Sequence, residues 1–504
     1  MGREMILLTG ATGYLGRHLC HHLLDRGYRV TTLVRGRQEG MRARLAQALG
    51  PLGREPGVVE AFEGDITLPD CGLEAAVRRR LAREGVAAVI HCAGLTRFGS
   101  HLADEAQRHN LEGTRNVHAL SRALDAGQFH HVSTAFVAGD ASGTFDQEAL
   151  DRGQGFHNPY EASKFAAELH LRQVHRAGEV LRIHRPSIVV GGHPLGLNQG
   201  ASTVYTFLKA LHFLRCCWRR DPGRMACWGV EEGETGLHLP MRVEGDPGLT
   251  VNLVSIDQVV EGIAASLDRP RPGLSSRTIL GQDYTLERLR HEFSRAMGIT
   301  GIRLVDAAAW REREMTPIER NFRRATASYL PYLRGSPRFP DCEKAAGWPV
   351  DPGRLARQFR RLLEDDRAGL GSQAMELLQV RGPEDYFHCL LDRRVGHSFL
   401  ERIRFIDCRA RFLVEDIPPF DRILHFRGGE VRYCDPDERE WDFCYRLDRP
   451  LFEAIVRGEE EIRRAFFAGR VRINGDKEAA LKFGFLFDDH CRHLEQRVLE
   501  EVCA

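Results

Sequence analysis

The chain has 504 residues, 42% of them hydrophobic, enough for sizeable cores in roughly two to four domains. Lys+Arg 71 against Asp+Glu 70 leaves a formal net charge of +1, which excludes the broad basic field of a nucleic-acid-binding chain and favours a small-molecule partner. The 13 cysteines form no CxxC pair or finger-like spacing, and Gly2-Arg3-Glu4 does not open an apolar signal segment, so reduced thiols in a cytoplasmic protein are expected.

The apolar run Met5 to Leu8 leads into TGATGYLG, Thr9 to Gly16, and then into a helical pattern over Tyr14 to Asp25. Three glycines three apart, after a strand and opening a helix, suit a dinucleotide phosphate. Gly10 allows the tight turn, Gly13 lets the backbone approach the pyrophosphate, and Gly16 allows close helix packing. Thr12, Tyr14 and Leu15 complete the turn, and the N–H groups of the helix start hold the anion. The β-branched strand Arg29 to Val34 ends at Arg35. An arginine at that distance from the glycine turn suits a 2′-phosphate, where an acidic residue would bind a 2′-hydroxyl, so the expected cofactor is NADPH, with Arg37 or Arg17 assisting Arg35.

A third strand is expected over Val58 to Glu63, ending in Gly64-Asp65-Ile66, and a fourth over Ala87 to His91, ending in Cys92-Ala93-Gly94. Ligands of open parallel sheets lie outside the strand carboxyl ends, so Asp65 and Ile66 would border adenine, and Ala93 and Gly94 would let the cofactor approach. A helical region, Ala103 to Asp125, leads to a fifth strand, Phe129 to Ser133. This alternation predicts right-handed βαβ units in a doubly wound α/β sheet.

Ser133-Thr134 closes the fifth strand, and Asn158-Pro159 starts a helix that carries Tyr160 and Lys164 on one face. A cation beside the phenol should lower its pKa and make it a proton donor or acceptor near neutrality, with Thr134 or Ser133 sharing the substrate oxygen. The pairs His21-His22 and His130-His131 point apart in any regular element, so no metal site is expected and surface or capping roles are. Val204 to Trp218, interrupted by Lys209, His212 and Arg215, is too short to span a membrane. It reads as a core-packing helix, with an amphipathic lid or surface anchor as the alternative. Cys216-Cys217 are expected as unpaired thiols on that helix, and Arg215, Arg219 and Arg220 as a solvated face or a contact for a carrier's phosphates.

TGATGYLG, GDIT, HCAG, Asn110 in NLEGTRNV, VSTAFVAG, YEASK and RPSIVVGG occur in the order found in the extended short-chain dehydrogenase/reductases, and residues 5 to 365 resemble that family. The resemblance implies Tyr160 as catalytic acid/base, Lys164 as the residue that holds the nicotinamide ribose and tunes Tyr160, and Asn110 among the cofactor-site residues. It puts the third hydroxyl on Thr134, five residues before Gly139, with Ser133 in reserve. Within the family, STAFVAG, RPSIVVGG, VNLVSIDQVV and YLPYLRGSPRFPD resemble fatty acyl reductases and thioester reductase domains, with substrate-side insertions around 195 to 250 and 300 to 340. Leu197 and Ser255 depart from the acyl-reductase pattern.

After a helical Arg354 to Leu363, the charged, glycine-rich Glu364 to Gln373 reads as a linker. Phe399 to Val414 alternates like strands, Gly428-Gly429 marks a turn, and Leu451 to Gly458 reads as a short helix. A strand, a turn at Asn474-Gly475-Asp476 and an amphipathic helix follow. GRVRINGD and AALKFGFLF resemble the sterol-carrier-protein lipid-binding domain, which implies an apolar tunnel. Phe466, Phe467, Phe483, Phe485, Leu486 and Phe487 are assigned to the core.

The expected organisation is a reductase domain over 1–365, a linker over 366–374 and a smaller α+β lipid-binding domain over 375–504. The expected activity is NADPH-dependent reduction of acyl thioesters to aldehyde or alcohol. An acyl carrier protein and a peripheral membrane surface are further partners to weigh, and nucleic acid is not one. The same motifs serve a hydroxysteroid dehydrogenase or a nucleotide-sugar epimerase or reductase, and a non-catalytic lipid-binding protein is the third reading.

Overall fold

Short β-branched strands that are apolar on both faces can be buried only between two helical layers. The computed structural model describes residues 4–36, 38–50, 58–191, 204–220, 222–234, 236–268, 270–306, 309–310, 315–335, 337–339, 350–365, 382–391, 397–415, 419–434 and 440–492. Seven parallel strands form its main sheet: β1 Met5–Thr9, β2 Arg29–Val34, β3 Glu60–Glu63, β4 Ala88–His91, β5 Gln128–Val132, β6 Val180–Pro186 and β7 Gly273–Ile279. Their order is β7-β6-β5-β4-β1-β2-β3. The order reverses between β1 and β4, and a ligand cleft opens outside the carboxyl ends of strands at such a switch point.

Helix α1, Tyr14–Asp25, buries Gly16, Leu19, Cys20 and Leu23 on one stripe, and its bounds and those of β2 coincide with the sequence reading. The third strand begins two residues later than expected, at Glu60, which is where its pairing with Thr31 of β2 begins. The expected helical region Ala103 to Asp125 is present without a gap to Ala123, but its winding changes on the way. A short helix, Ala103–Ala106, passes into a π turn, Gln107–Glu112, before α2, Gly113–Ala123.

Beyond the sheet lie α3 Pro159–Val174, α4 Val204–Arg220, α5 Ile256–Ala264 and α6 Leu286–Met297. Helix α4 buries Val204, Tyr205, Leu208, Leu211, Phe213 and Leu214, so the core-packing reading holds over the lid. Arg215 on it donates to the Met297 carbonyl at 2.8 Å, Cys217 is buried, and the side chains of Arg219 and Arg220 lie outside the described residues. Ser255 caps α5: its hydroxyl accepts from the Gln258 N–H while the Gln258 side chain returns a bond to the cap, a local reason for serine there. Leu197, Arg37 and the linker 366–374 lie outside the described residues.

The C-terminal unit holds a five-stranded sheet, in the order Glu430–Tyr433, Phe420–Arg427, Asp407–Glu415, Phe443–Asp448, Arg472–Gly475. The helix Lys477–Arg492 packs Phe483 and Phe487 against Phe399, Phe412 and, through Phe483, Phe426 and Phe443. Two expectations fail here. His397–Arg402 is helical, with Phe399, Leu400 and Ile403 buried at helical rather than strand spacing. Phe467 and Phe485 are 78% and 54% exposed and belong to the surface rather than the core.

Candidate active site

At the switch point the turn after β1 meets the end of β4. Gly10 has φ of +80°, and a Cβ there would fall 2.7 Å from the Ala93 nitrogen. At Gly16 a Cβ would fall 2.0 Å from the Gly10 carbonyl oxygen, so this glycine serves the turn itself. Gly13 is exposed and is crowded only by the Gly10 carbonyl at 3.3 Å, which leaves its outer side open to a ligand. No acidic residue occupies the first turn of α1. A backbone cradle too tight for side chains, at a helix start that no side chain caps among the described residues, fits a dinucleotide pyrophosphate.

Gly94 faces this cradle from β4. A Cβ on it would lie 2.7 Å from Asn110 Oδ1 and 3.4 Å from Lys164 Nζ. Asn110 is fully buried in the π turn; it accepts from the Leu95 N–H at 2.7 Å and donates to the Leu95 carbonyl and the Ser163 hydroxyl. It therefore acts behind the cleft, fixing the loop that carries Gly94, and a π turn is a recurrent way to aim one side chain.

The catalytic candidates converge from two elements. The Asn158 carboxamide caps α3 by accepting from the Glu161 N–H at 3.0 Å, and Pro159 follows at the first helical position. This places Tyr160 and Lys164 on the face towards β5. Thr134 caps the turn after β5 and hydrogen-bonds Tyr160, while Ser133 Oγ is buried in the same wall with no partner among the described residues. Lys164 Nζ donates to the Val132 carbonyl at 2.8 Å.

The expected lowering of the Tyr160 pKa is wrong in this state. Burial pushes its hydroxyl well above the ordinary phenol range, which the hydrogen bond to Thr134 only partly opposes. Burial also pushes Lys164 down to about 8. Burial outweighs what opposes it in each case, the Thr134 hydrogen bond at Tyr160 and the Cys92 and Glu168 charges at Lys164, so the phenol is a proton donor held neutral.

These residues line a cavity of about 390 Å³, of ligand-pocket size. Gly10, Gly13, Tyr14, Leu15, Gly16, Gly94, Ser133, Thr134, Tyr160 and Lys164 all border it. Thr12 is exposed at the turn. Arg35, Asp65 and Ile66 sit farther along the sheet rim, where the Gly64 N–H bonds the Val34 carbonyl. The Asp65 carboxylate is engaged by Thr67, and Ile66 packs on Gly113 of α2. Ala93 lies behind Gly10, its N–H bonded to Thr9 Oγ1 at 3.2 Å.

Beyond Tyr160 the cavity is mainly apolar, running between α4 and α6 past Phe207, Leu211, Leu286, Leu289, Phe293 and Phe322, with Arg290 and Ser294 of α6 as polar lining. Sequence reading missed three of its wall residues. Phe98 stacks on Tyr160 with centroids 5.6 Å apart, and Tyr329 and Tyr332 close around Phe98. The Tyr332 hydroxyl donates to Glu161, one residue beyond Tyr160, and accepts from Asn158 Nδ2 at 2.9 Å. Both tyrosines stand in the YLPYLRG stretch, which carried part of the resemblance to acyl reductases but gave no sign that its tyrosines reach the site. The surface reading of His130 and His131 also fails: both are fully buried, His130 stacked against His184 and His131 beside His91.

Comparison with known proteins follows the same division. Residues 8–226 match the male sterility protein family, and residues 391–488 match the SCP-2 sterol transfer family. The chain thus carries a male-sterility-type NAD-binding domain followed by an SCP-2 domain. A polyketide synthase-nonribosomal peptide synthetase of Aspergillus clavatus is 32% identical over 193 residues, 37% of this chain and 4% of that protein. A 2-alkyl-3-oxoalkanoate reductase of Stenotrophomonas maltophilia is 30% identical over 190 residues, 37% of this chain and 51% of that one. The chain thus spans a small fraction of the synthetases and about half of the smaller reductase. In fold, it resembles the terminal R domain of the myxalamid PKS-NRPS biosynthetic pathway, with a TM-score of 0.54 and 22% identity over 72% of this chain and 91% of that one. It also resembles a thiolation-reductase di-domain from an archaeal non-ribosomal peptide synthetase, with a TM-score of 0.53 and 20% identity over 73% and 76% of the two chains. Among the described residues no helix is long and apolar enough to cross a membrane.

Proposed function

We propose that the chain is a cytoplasmic NADPH-dependent reductase of long-chain acyl thioesters, with its SCP-2 domain holding lipid near the reductase. The observation that carries this reading is the apolar cavity that begins at the Tyr160 and Thr134 hydroxyls and continues between α4 and α6. A sugar nucleotide would leave its hydroxyls unpaired against such walls, so the epimerase reading is disfavoured.

Gly10, Gly13, Gly16 and the start of α1 would hold the pyrophosphate, Arg35 the 2′-phosphate, and Lys164 the nicotinamide ribose. When bound, NADPH supplies the hydride for the carbonyl carbon. Tyr160 and Thr134 donate hydrogen bonds to the carbonyl oxygen, and Tyr160 passes its proton to that oxygen as negative charge develops there. Lys164, as an ammonium beside the phenol, stabilises the phenolate left behind. Phe98 over Tyr160 and the apolar walls exclude water from the reacting carbonyl. Departure of the thiol, with the proton of the former carbonyl oxygen, then leaves an aldehyde; once Tyr160 has regained a proton from solvent and the site has exchanged its spent cofactor, the same residues can present it for a second reduction. The thiol is carried by coenzyme A or by an acyl carrier protein.

The test is NADPH absorbance with acyl-CoAs of increasing length. Oxidation that depends on the thioester and strengthens with chain length is expected. No oxidation with any thioester, together with turnover of a steroid, would replace this reading by the dehydrogenase one.

A further inference from the structure

A second pocket, of about 200 Å³, lies at the outer edge of the main sheet and shares no lining residue with the cofactor cavity. Its walls are Arg182, Ile183 and His184 of β6, Ser275 and Arg277 of β7, and Ser266 just beyond α5. No carboxylate lines it among the described residues. Arg277 pairs in register with His184 and is exposed at the mouth, while Arg182 is tied to the Gly273 carbonyl at 2.7 Å.

A relay of neutral groups fixes which proton His184 carries. The Gln128 amide nitrogen donates to the Leu267 carbonyl at 3.1 Å, so its oxygen accepts from His130 Nε2, also at 3.1 Å. The His130 Nδ1 is then a bare acceptor and takes the proton of His184 Nε2 at 3.1 Å. Burial holds both imidazoles neutral: it pushes His184 down to about 3 and His130 well below the ordinary range. The Ser266 hydroxyl, beside both rings, spends its proton on the Ile263 carbonyl. His184 Nδ1 is therefore a lone pair on a side chain 1% exposed, with no partner among the described residues.

We propose that this pocket binds a small oxyanion that also carries its own O–H, with hydrogen phosphate as the simplest example. Such a ligand donates to His184 Nδ1 and presents anionic oxygens to Arg277, Arg182 and Ser275. An anion with no proton leaves the imidazole lone pair facing negative charge, and a neutral donor leaves the arginines unmatched. The His184 carbonyl accepts from the Ser133 N–H at 2.7 Å, so the ligand grips the strand that holds the catalytic loop.

Sulfate at neutral pH has the shape and charge of hydrogen phosphate without its proton, and this supplies the test. The full chain, saturated with NADPH to fill the glycine turn, is titrated calorimetrically with phosphate and with sulfate at constant ionic strength. The same titrations are run on Arg277→Gln, which alters an exposed side chain and spares the core. One phosphate site is expected, with sulfate weaker by on the order of tenfold and Arg277→Gln lowering phosphate affinity by at least about that factor. Equal affinity for the two anions, phosphate binding untouched by Arg277→Gln, or no binding (an ordered water only) would each overturn the proposal. None of these outcomes bears on thioester reduction, which rests on the other cavity.

Discussion

Lys164 sits where its charge is costly, and the sign of that cost is measurable. Its pKa is depressed from the ordinary 10.5 to about 8, so between these values the unfolded chain holds the proton that the folded chain has lost. Stability from this residue therefore rises as pH climbs from 8 towards 10.5, and below 8 the folded state carries the full penalty. In denaturant titrations without cofactor, Lys164→Met should remove this rise and stabilise the protein at neutral pH by about 3 kcal/mol, while lowering turnover. A variant with the same pH dependence as the wild type would contradict the burial argument. Arg35 tests the cofactor half: Arg35→Asp should shift preference from NADPH towards NADH, read as the ratio of the two kcat/KM values. An unchanged ratio would remove Arg35 from the 2′-phosphate site. The Tyr160-Lys164 pair was legible from its spacing, but its electrostatics were not, because a sequence displays the neighbouring charge and conceals the desolvation.

The elements that sequence reading located best are those whose ends carry their own signals. Asn158-Pro159 starts α3 where its cap chemistry requires, and α1 runs from the glycine turn to Asp25 as expected. The π turn at Asn110 was not legible, because it answers to Leu95 and Ser163, bonded across the fold. The same holds for Arg185 in RPSIVVGG, whose side chain makes a fully buried bidentate pair with Glu168 of α3 and donates to the Gln147 and Ala149 carbonyls. Glu168→Ala leaves that guanidinium buried without its carboxylate and should cost about 3–5 kcal/mol in denaturant titrations, far more than an exposed pair. A loss below about 1 kcal/mol would show that the site takes up water on demand. Gly16→Ala forces a methyl against the Gly10 carbonyl, so it should weaken dinucleotide binding more than it unfolds the chain.

At the scale of the molecule, the helix that leads into the SCP-2 match meets the N-terminal domain beside the site. Arg97, one residue before Phe98 in the loop over Tyr160, forms an ion pair with Asp385, which is 4% exposed in the helix Pro383–Leu391. Two-domain character was legible from composition, but a contact between residues 97 and 385 has no local signature. Asp385→Arg should raise KM or lower kcat by loosening Phe98, and Arg97→Asp in the same chain should restore part of the loss. Loss without rescue would assign the effect to folding of the helix. The central claim concerns the head of the apolar cavity, and it is tested most directly by thioester-dependent NADPH oxidation in wild type and Tyr160→Phe, with NADPH affinity measured on both. The account predicts turnover lower by about 10²–10⁴-fold in the variant with NADPH affinity nearly unchanged. Equal turnover in the two proteins would contradict it.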